Sequence, residues 1–318
     1  MTVIDINTKK LPVLSIVVPC YNEESTIHPF LAATKQTEEQ MRDRLLFDYI
    51  FVNDGSKDQT LDVLREVAKT YDNVHYLSFS RNFGKEAGLL AGLEAARGDL
   101  VTVMDVDLQD PPELLIPMFE KIQEGYDVVG TRRSNREGEP VIRSLFARAF
   151  YRIINKISET EMVDGARDFR MMTRQVVDSI LELKEVNRFS KGLFSWVGYD
   201  VTYISYENQE RVAGETSWNF WSLLRYSIDG IINFSEFPLN LSIYGGVFSF
   251  VLSLIGIAFI VVRRLVLGDA VKGWASLVCI MLFVGGIQLL ALGIIGKYIA
   301  KIFLETKKRP VYIVKEKG

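Results

Sequence analysis

The sequence has few of the residues that most often carry catalysis or cross-links. Of its 318 residues, two are cysteine and two are histidine. The cysteines, Cys20 and Cys279, lie in different regions, which argues against a disulfide framework and fits a reducing compartment. With only His28 and His75 available, a histidine-based triad or a histidine-rich zinc site is not expected.

Positive charge is not in excess either. The formal net charge is -3, with 24% charged residues, so we expect no nucleic-acid partner. Residues 1–10 are polar, and we therefore expect no signal peptide. The length suits two domains.

Long apolar segments are present near the C-terminus. Residues 238–262 carry no charge, and residues 274–295 contain Gln288 as their one strongly polar residue. About 20 apolar residues suffice to cross a bilayer, so residues 238–303 are predicted to hold two transmembrane helices. The alternative is a buried helical hairpin of a soluble protein. Residues 211–237, rich in aromatics from Trp218 onward, are predicted to form a connecting loop and an interfacial amphipathic helix.

The basic residues that flank the second apolar segment predict its orientation. They are Lys297, Lys301, Lys307, Lys308 and Arg309. By the positive-inside rule, residues 304–318, a predicted basic tail, are expected in the cytoplasm. Because two spans return the chain to the side where it started, residues 1–210, the predicted catalytic domain, are expected in the cytoplasm too. Glycines in both segments allow close helix packing and a possible homo-oligomer.

The first two-thirds of the chain alternates strand and helix patterns. Predicted strands cover residues 14–19, 47–52, 74–79 and 100–104, with a fifth beginning at 127–130, and predicted helices cover 25–42, 60–70, 85–96 and 112–124. This order predicts an α/β fold with a mostly parallel sheet and helices on both faces. Ligands of such sheets bind beyond the carboxyl ends of the strands.

Acidic residues follow the fourth predicted strand. Asp105 and Asp107 are two positions apart, with Gln109 after them and two prolines closing the segment. Oxygen ligands at this spacing suit a hard cation such as Mg²⁺ or Mn²⁺ that keeps positions open for substrate phosphates. A solvated acidic turn is the alternative.

A basic stretch follows the fifth strand. It contains Arg132, Arg133, Arg136, Arg143, Arg148, Arg152 and Lys156, against only Glu137 and Glu139. This excess suggests that some of these arginines meet phosphates, for which their geometry is suited. A solvated helix face is the alternative.

Several motifs together resemble a known family. They are residues 18–24, 52–58, 80–85, 105–112 and 211–215. In this order they resemble family-2 glycosyltransferases with a GT-A fold, and among them the polyprenyl-phosphate glycosyltransferases of the bacterial undecaprenyl-phosphate branch. The resemblance covers about residues 11–235, and the two-span tail matches the same branch.

The resemblance implies roles for individual residues. Those implied to bind the nucleotide-sugar are Pro19, Tyr21, Glu23, Asp54, Lys85 and Asp105. Asp107 and Gln109, with Asp105 nearby, would hold Mg²⁺ or Mn²⁺. Arg132 and Arg143 match positions that hold the acceptor phosphate. Arg211 matches an arginine that closes over the diphosphate, and Asp168 an acid proposed in some members as catalytic base.

The resemblance implies a multi-pass protein of the inner (cytoplasmic) membrane. The implied reaction is a single displacement with inversion at the anomeric carbon. An oxygen of polyprenyl phosphate attacks the anomeric carbon of a nucleotide-sugar, with UDP-glucose or UDP-N-acetylglucosamine favoured and GDP-mannose left open. A phosphate monoester is already largely dianionic at pH 7, so a general base is dispensable. Asp168 is then either a base or a residue that orients an arginine such as Arg170. Thr216, Ser217 and Trp218 stand where many members have serine, lysine and an aromatic, which puts one phosphate contact in doubt.

Two rival functions are compatible with parts of this sequence. A processive polysaccharide synthase shares the GT-A core but carries a Gln-x-x-Arg-Trp motif, which this sequence lacks, and more spans. A non-catalytic membrane scaffold is the second rival, and the intact Asp54, Asp105, Asp107, Gln109 and Arg211 argue against it.

Overall fold

A computed structural model of the chain describes residues 11–133, 155–157, 163, 165–206, 228, 230–267 and 273–318. The strands are β1 (Val13–Cys20), β2 (Leu46–Asn53), β3 (Val74–Phe79), β4 (Leu100–Val103), β5 (Val128–Arg133), β6 (Ala166–Thr173), β7 (Val201–Tyr206) and β8 (Val314–Lys317). The helices are α1 (Ile27–Met41), α2 (Thr60–Thr70), α3 (Lys85–Ala95), α4 (Leu115–Gln123, after a 3₁₀ turn at Pro112–Leu114), α5 (Arg174–Glu182), α6 (Ser190–Trp196), α7 (Phe237–Leu267) and α8 (Trp274–Thr306).

The eight strands in the described ranges form one mixed sheet in the order β7-β5-β6-β4-β1-β2-β3-β8. The neighbouring pairs β1–β2, β1–β4, β2–β3 and β5–β7 are parallel. Strand β6 runs antiparallel between β4 and β5, and β8 runs antiparallel beside β3. The predicted α/β fold with a mostly parallel sheet is confirmed.

Helices cover both faces of the sheet. Successive side chains of a strand point to opposite faces, so each strand contributes to two cores. Leu14 and Ile16 of β1 pack into one core with α1, α2 and α4, whereas Val17 packs into a second core with α3, α5 and α6. A strand buried on both faces has no polar side, which explains the nearly continuous apolar run of β1.

Because β6 is antiparallel to β4, the first residues of β6 lie beside the carboxyl end of β4. Val103, the last residue of β4, lies opposite Arg170 in the antiparallel register. The residues that precede Arg170 therefore continue past the carboxyl end of β4. Because β5 and β7 are antiparallel to β6, Arg133 and Tyr206 end their strands at the same edge.

Two helices near the C-terminus are long and apolar enough to cross a membrane by length and composition. The candidate spans are Phe237–Arg263 and Leu277–Thr306, each with a mean hydropathy of 2.5. The second helix continues beyond the predicted boundary at residue 303, as far as Thr306. Val314–Lys317, read from the sequence as part of a basic tail, instead forms a strand of the sheet.

The end of α8 is attached to the domain that contains the sheet. The Glu305 carboxylate accepts hydrogen bonds from the backbone N–H of Val186, at 3.0 Å, and of Asn187, at 2.9 Å. The Tyr298 hydroxyl donates to the carbonyl oxygen of Ser235 at 2.7 Å. These contacts join the second apolar helix to the loop before α6 and to the approach to α7.

Candidate functional site

Polar residues collect at one edge of the sheet, where the parallel strands β1 to β4 have their carboxyl ends. The ends of β1 and β2 are tied directly together. The backbone N–H of Asn22 donates to the Ser56 hydroxyl at 2.9 Å, and that of Glu23 donates to the Thr60 hydroxyl at 2.8 Å. Asn22 has a φ of 56°, a left-handed conformation that asparagine tolerates better than most residues.

The three β1-end residues predicted to bind the nucleotide-sugar border this edge. Pro19 and Glu23 are partly exposed, and the Tyr21 side chain is 42% exposed. An exposed aromatic ring next to a polar edge is available to stack on a planar ligand. Their role in binding stays a prediction.

Asp54, at the end of β2, is buried and holds the loop that follows β3. Its two carboxylate oxygens accept the backbone N–H groups of Phe83, at 2.6 Å, and Gly84, at 2.8 Å. Burial raises the pKa of Asp54, while these two hydrogen bonds act in the opposite direction. The carboxylate retains lone pairs for a further donor. Its contact with a base or ribose stays a prediction.

Gly55 allows this loop to lie against the end of β2. Its φ is 65°, and a Cβ built there would lie 2.3 Å from the carbonyl carbon of Arg81. Only glycine fits both the left-handed backbone and the close approach.

Lys85, the first residue of α3, bridges two carboxylates. Its Nζ lies 2.8 Å from Asp105 Oδ1 and 2.7 Å from Asp168 Oδ2. Burial on its own lowers the pKa of Lys85, but the two carboxylates outweigh it and raise that pKa. Burial likewise favours a higher pKa for Asp168, but Lys85, Lys191 and Arg170 together hold that pKa well below its usual range.

This arrangement bears on the two interpretations of Asp168. The Asp168 carboxylate pairs with Lys85. Arg170 lies close as well: it donates to the backbone carbonyls of Arg167, at 3.0 Å, and of Asp168, at 3.4 Å, and its guanidinium carbon lies 3.9 Å from the centroid of the Phe194 ring. A carboxylate held ionised in this way is a weak proton acceptor.

Asp107 and Gln109 lie in the loop after β4. The Asp107 carboxylate accepts the backbone N–H of Gln109 at 3.2 Å. The Gln109 side-chain oxygen lies 3.3 Å from Arg167 Nη2 and 3.4 Å from Arg133 Nη2. No group of three or more His, Cys, Asp or Glu side chains suited to a metal occurs in the part of the chain that the structure describes. Asp105, Asp107 and the Gln109 amide are an all-oxygen donor set, which fits a Mg²⁺ or Mn²⁺ ion that takes its remaining ligands from phosphates.

A buried cluster fixes the position of Arg167. Asp110 is 2% exposed, and its Oδ1 lies 3.2 Å from Arg167 Nε and also accepts a hydrogen bond from the Tyr206 hydroxyl. Burial and the adjacent Asp110 raise the pKa of Tyr206 to about 12. This role of Arg167 was not predicted from the sequence, because the only signal there is a basic residue next to Asp168 and strand β6 was not predicted.

The predicted acceptor-binding arginines are only partly within the described residues. Arg132 is exposed near the end of β5. Arg143 and Arg211, together with most of the predicted interfacial helix at 211–237, lie outside the described residues. Arg133, the neighbour of Arg132, is the β5 arginine that reaches the acidic loop.

The domain that contains the sheet and the acidic strand end belongs to a known family. The profile of the family described as "Glycosyl transferase family 2" matches residues 15–181, which is more than half of the chain. The chain belongs to glycosyl transferase family 2 and is a hexosyltransferase of the GT-A fold.

Relatives match over nearly the whole length. A prophage bactoprenol glucosyl transferase homolog of Escherichia coli is 41% identical over 302 residues, covering 95% of this chain and 98% of the relative. The bactoprenol glucosyl transferase of Shigella phage SfII is 41% identical over 303 residues, covering 95% and 97%. A match of this length extends into both apolar helices.

Among solved structures, the mannosyltransferase PcManGT from Pyrobaculum calidifontis, in complex with GDP-Man and Mn²⁺, aligns with a TM-score of 0.50. The alignment covers 71% of this chain and 64% of that one at 18% identity. At that identity the likeness concerns the fold alone.

Proposed function

We propose that the protein is an inverting transferase that moves a sugar from a nucleotide-sugar to polyprenyl phosphate at the cytoplasmic membrane. The observation that carries the proposal is the convergence at one sheet edge of Asp54, Lys85, Asp105 and Asp107 with arginines Arg133 and Arg167. The names of the bactoprenol glucosyl transferases at 41% identity support the acceptor and favour glucose, hence UDP-glucose, as the first donor to test. UDP-N-acetylglucosamine and GDP-mannose are the next donors.

The arrangement of charge supports a reaction between two anions. A nucleotide diphosphate and a lipid phosphate repel one another, so the enzyme must supply positive charge between them. Arg133 and Arg167 lie within 3.4 Å of the Gln109 side chain, beside Asp107. Arg132, and Arg143 and Arg211 beyond the described residues, are further candidates for these phosphates.

Asp105, Asp107 and Gln109 are the residues that would hold Mg²⁺ or Mn²⁺. When bound there, the ion would neutralise negative charge on the leaving diphosphate. The chain's own residues position the donor: the loop held by Asp54 borders the base and ribose, and Lys85 keeps Asp105 in place from the start of α3.

The nucleophile needs no strong base. A phosphate monoester has its second pKa near 6 and is mostly dianionic at pH 7. Asp168, whose pKa is lowered, is poorly suited to remove a proton but well suited to hold Lys85. We assign it a positioning role rather than that of an obligatory base.

The two apolar helices would anchor the site at the membrane surface. A polyprenyl chain stays in the bilayer, so its phosphate must be met at the interface. Strand β8 follows the second helix and pairs with β3 of the catalytic sheet, so both ends of the hairpin return to the same side. This supports the even number of spans in the proposed topology. The choice of the cytoplasm as that side comes from the positive-inside rule. A homo-oligomer stays a prediction.

The test uses detergent-purified protein with undecaprenyl phosphate, Mn²⁺ or Mg²⁺, and a panel of radiolabelled UDP- and GDP-sugars. The expected result is label in the organic phase from one donor. Donor hydrolysis without lipid product, or transfer from no donor although nucleotide binds, would contradict the proposal. The first outcome favours another acceptor, and the second favours the scaffold function.

A further inference from the structure

The C-terminal segment reaches the loop that borders the candidate donor site. We name residues 311–318 the C-terminal strap. The Tyr312 ring of the strap stacks on Phe79, with centroids 5.0 Å apart and planes at 18°. Phe79 in turn meets Phe83 edge to face, with centroids 5.8 Å apart and planes at 90°. A continuous row of three aromatic rings therefore connects the strap to the loop after β3.

That loop carries the groups assigned to the donor. Phe83 and Gly84 donate their backbone N–H groups to Asp54, and the next residue, Lys85, bridges Asp105 and Asp168. Asp54 therefore fixes the loop from one side through two hydrogen bonds. The Phe83 side chain fixes it from the other side, between Phe79 and the Arg81 guanidinium, whose carbon lies 4.0 Å from the ring centroid.

The strap is itself firmly attached, so it can act as a support. Ser80 donates its backbone N–H to the Ile313 carbonyl at 3.0 Å, and Tyr76 exchanges two backbone hydrogen bonds with Gly318, at 2.9 and 3.1 Å. Glu316 accepts Arg65 through Nε at 2.8 Å and Nη2 at 2.6 Å, in a two-point geometry. The strap thus carries backbone pairing along its length and a side-chain clamp near its end.

We infer that Tyr312 is a positioning residue for the nucleotide-sugar: by packing on Phe79 it keeps Phe83 in place, and so keeps the backbone N–H groups on Asp54 and Lys85 on Asp105. This rests on the proposed function, because it concerns the donor of that reaction. The strap directly follows the second apolar helix, so the same segment that leaves the proposed membrane anchor completes the donor side of the site.

The experiment compares Tyr312→Ala with Tyr312→Phe. Phenylalanine retains the ring but loses the hydroxyl, which donates to Glu94. Glu94→Gln is the matched control for that hydrogen bond. The full-length protein in detergent is examined in two ways: hydrogen exchange of the peptide that contains residues 80–84, and UDP affinity in the presence of Mn²⁺, with the KM values for donor and lipid acceptor measured separately.

Aromatic pairs of this kind contribute enough to change an equilibrium by about two- to tenfold. In Tyr312→Ala, the backbone amides of Phe83 and Gly84 should therefore exchange faster with solvent. UDP affinity should fall and the donor KM should rise by about that factor, while the acceptor KM stays unchanged. Tyr312→Phe and Glu94→Gln should behave like the wild type. A merely structural role would not confine the change to the donor.

Two results would contradict the inference in distinguishable ways. If wild-type protein binds UDP and Tyr312→Ala matches Tyr312→Phe in both exchange and UDP affinity, the positioning role is wrong and the proposed function stands. If wild-type protein binds no nucleotide, the proposed function fails, and the assignment of Tyr312 to a donor fails with it.

Discussion

Asp168 and Lys85 form an ion pair of 2.7 Å between a strand and a helix that are far apart in the sequence. The pair exists because β6 is antiparallel to β4, so that its first residues pass the carboxyl end of β4, next to the start of α3. Lys85 also reaches Asp105, which links Asp168 to the candidate metal-binding loop. The pair favours a role for Asp168 in organising the site over a role as proton acceptor.

Replacing Asp168 by Asn should reduce turnover by about tenfold or less, corresponding to ~1.4 kcal/mol. The change keeps the shape of the side chain and removes its charge, so Lys85 keeps its ion pair with Asp105 and loses the one with residue 168. The decrease of the rate at acidic pH should stay near pH 6 in both proteins, because it reports protonation of the lipid phosphate. A loss of about a thousandfold, together with disappearance of that acidic decrease, would identify Asp168 as the base.

Replacing Asp107 by Asn should abolish metal-dependent transfer, because a neutral amide cannot replace the charge of a carboxylate ligand. The expected loss is about a hundredfold or more at saturating donor, a size typical of removing one preorganised electrostatic contact. Rates are measured across a Mn²⁺ titration. Glu113→Gln, at an exposed carboxylate a few residues further along, is the control. A variant that responds to Mn²⁺ like the wild type would contradict the metal assignment.

Replacing Gly55 by Ala should destabilise the protein and weaken nucleotide binding. The new Cβ would meet the Arg81 carbonyl carbon at 2.3 Å and strain a backbone with a φ of 65°. Gly125→Ala is the matched control, because its φ is 109° and a Cβ there meets nothing within 4 Å. The control should show backbone strain alone, ~1–3 kcal/mol. Thermal unfolding and UDP affinity are measured for both variants. Equal nucleotide affinity in the two would show that the contact between Gly55 and Arg81 does not shape the site.

Stability at acidic pH should depend on Glu316 of the C-terminal strap. Hydrogen bonds from Arg65 and Tyr76 lower the pKa of Glu316 to about 2. A carboxyl whose pKa is lowered on folding stabilises the fold fully above its unfolded pKa of about 4.3, and that contribution is lost as the pH falls toward 2. Glu316→Gln should therefore lower the unfolding midpoint at pH 5, with the difference from wild type shrinking by pH 3.

The control for this measurement is Glu66→Gln, which changes an exposed carboxylate next to Arg65 on α2. It should leave the pH dependence unaltered. The effect of Glu316 should be small, because its partner Arg65 is 42% exposed and such pairs are screened by solvent. A Glu316→Gln variant with the wild-type midpoint at pH 5 would contradict the role of the clamp.

Much of the catalytic core could be predicted from the sequence. Strands β1 to β4 are apolar runs bounded by turn residues, and their predicted bounds agree with the structure to within one or two residues. The convergence of their polar ends follows from parallel pairing, so the proximity of Asp54, Lys85 and Asp105 was accessible too. The two long apolar helices were equally clear.

The remaining elements depend on pairing that sequence patterns do not report. Strand β6 includes Arg167, Asp168 and Arg170 among its first residues, and these obscure its period. Strand β8 reads as a charged tail, and only its pairing with β3 and the clamp on Glu316 make it a strand. The ion pair of Lys85 with Asp168 and the cluster of Asp110, Arg167 and Tyr206 follow from the position of β6, and so they were missed with it.

In the proposed reaction, the acceptor is a lipid phosphate that attacks the donor in a single displacement. The most direct measurement incubates the purified protein and its labelled donor with undecaprenyl phosphate or with undecaprenol, followed by determination of the anomeric configuration of the lipid product. Product should form from the phosphate alone, with the anomeric configuration inverted relative to the donor. Product from undecaprenol at a comparable rate, or a product with retained configuration, would contradict the proposed reaction.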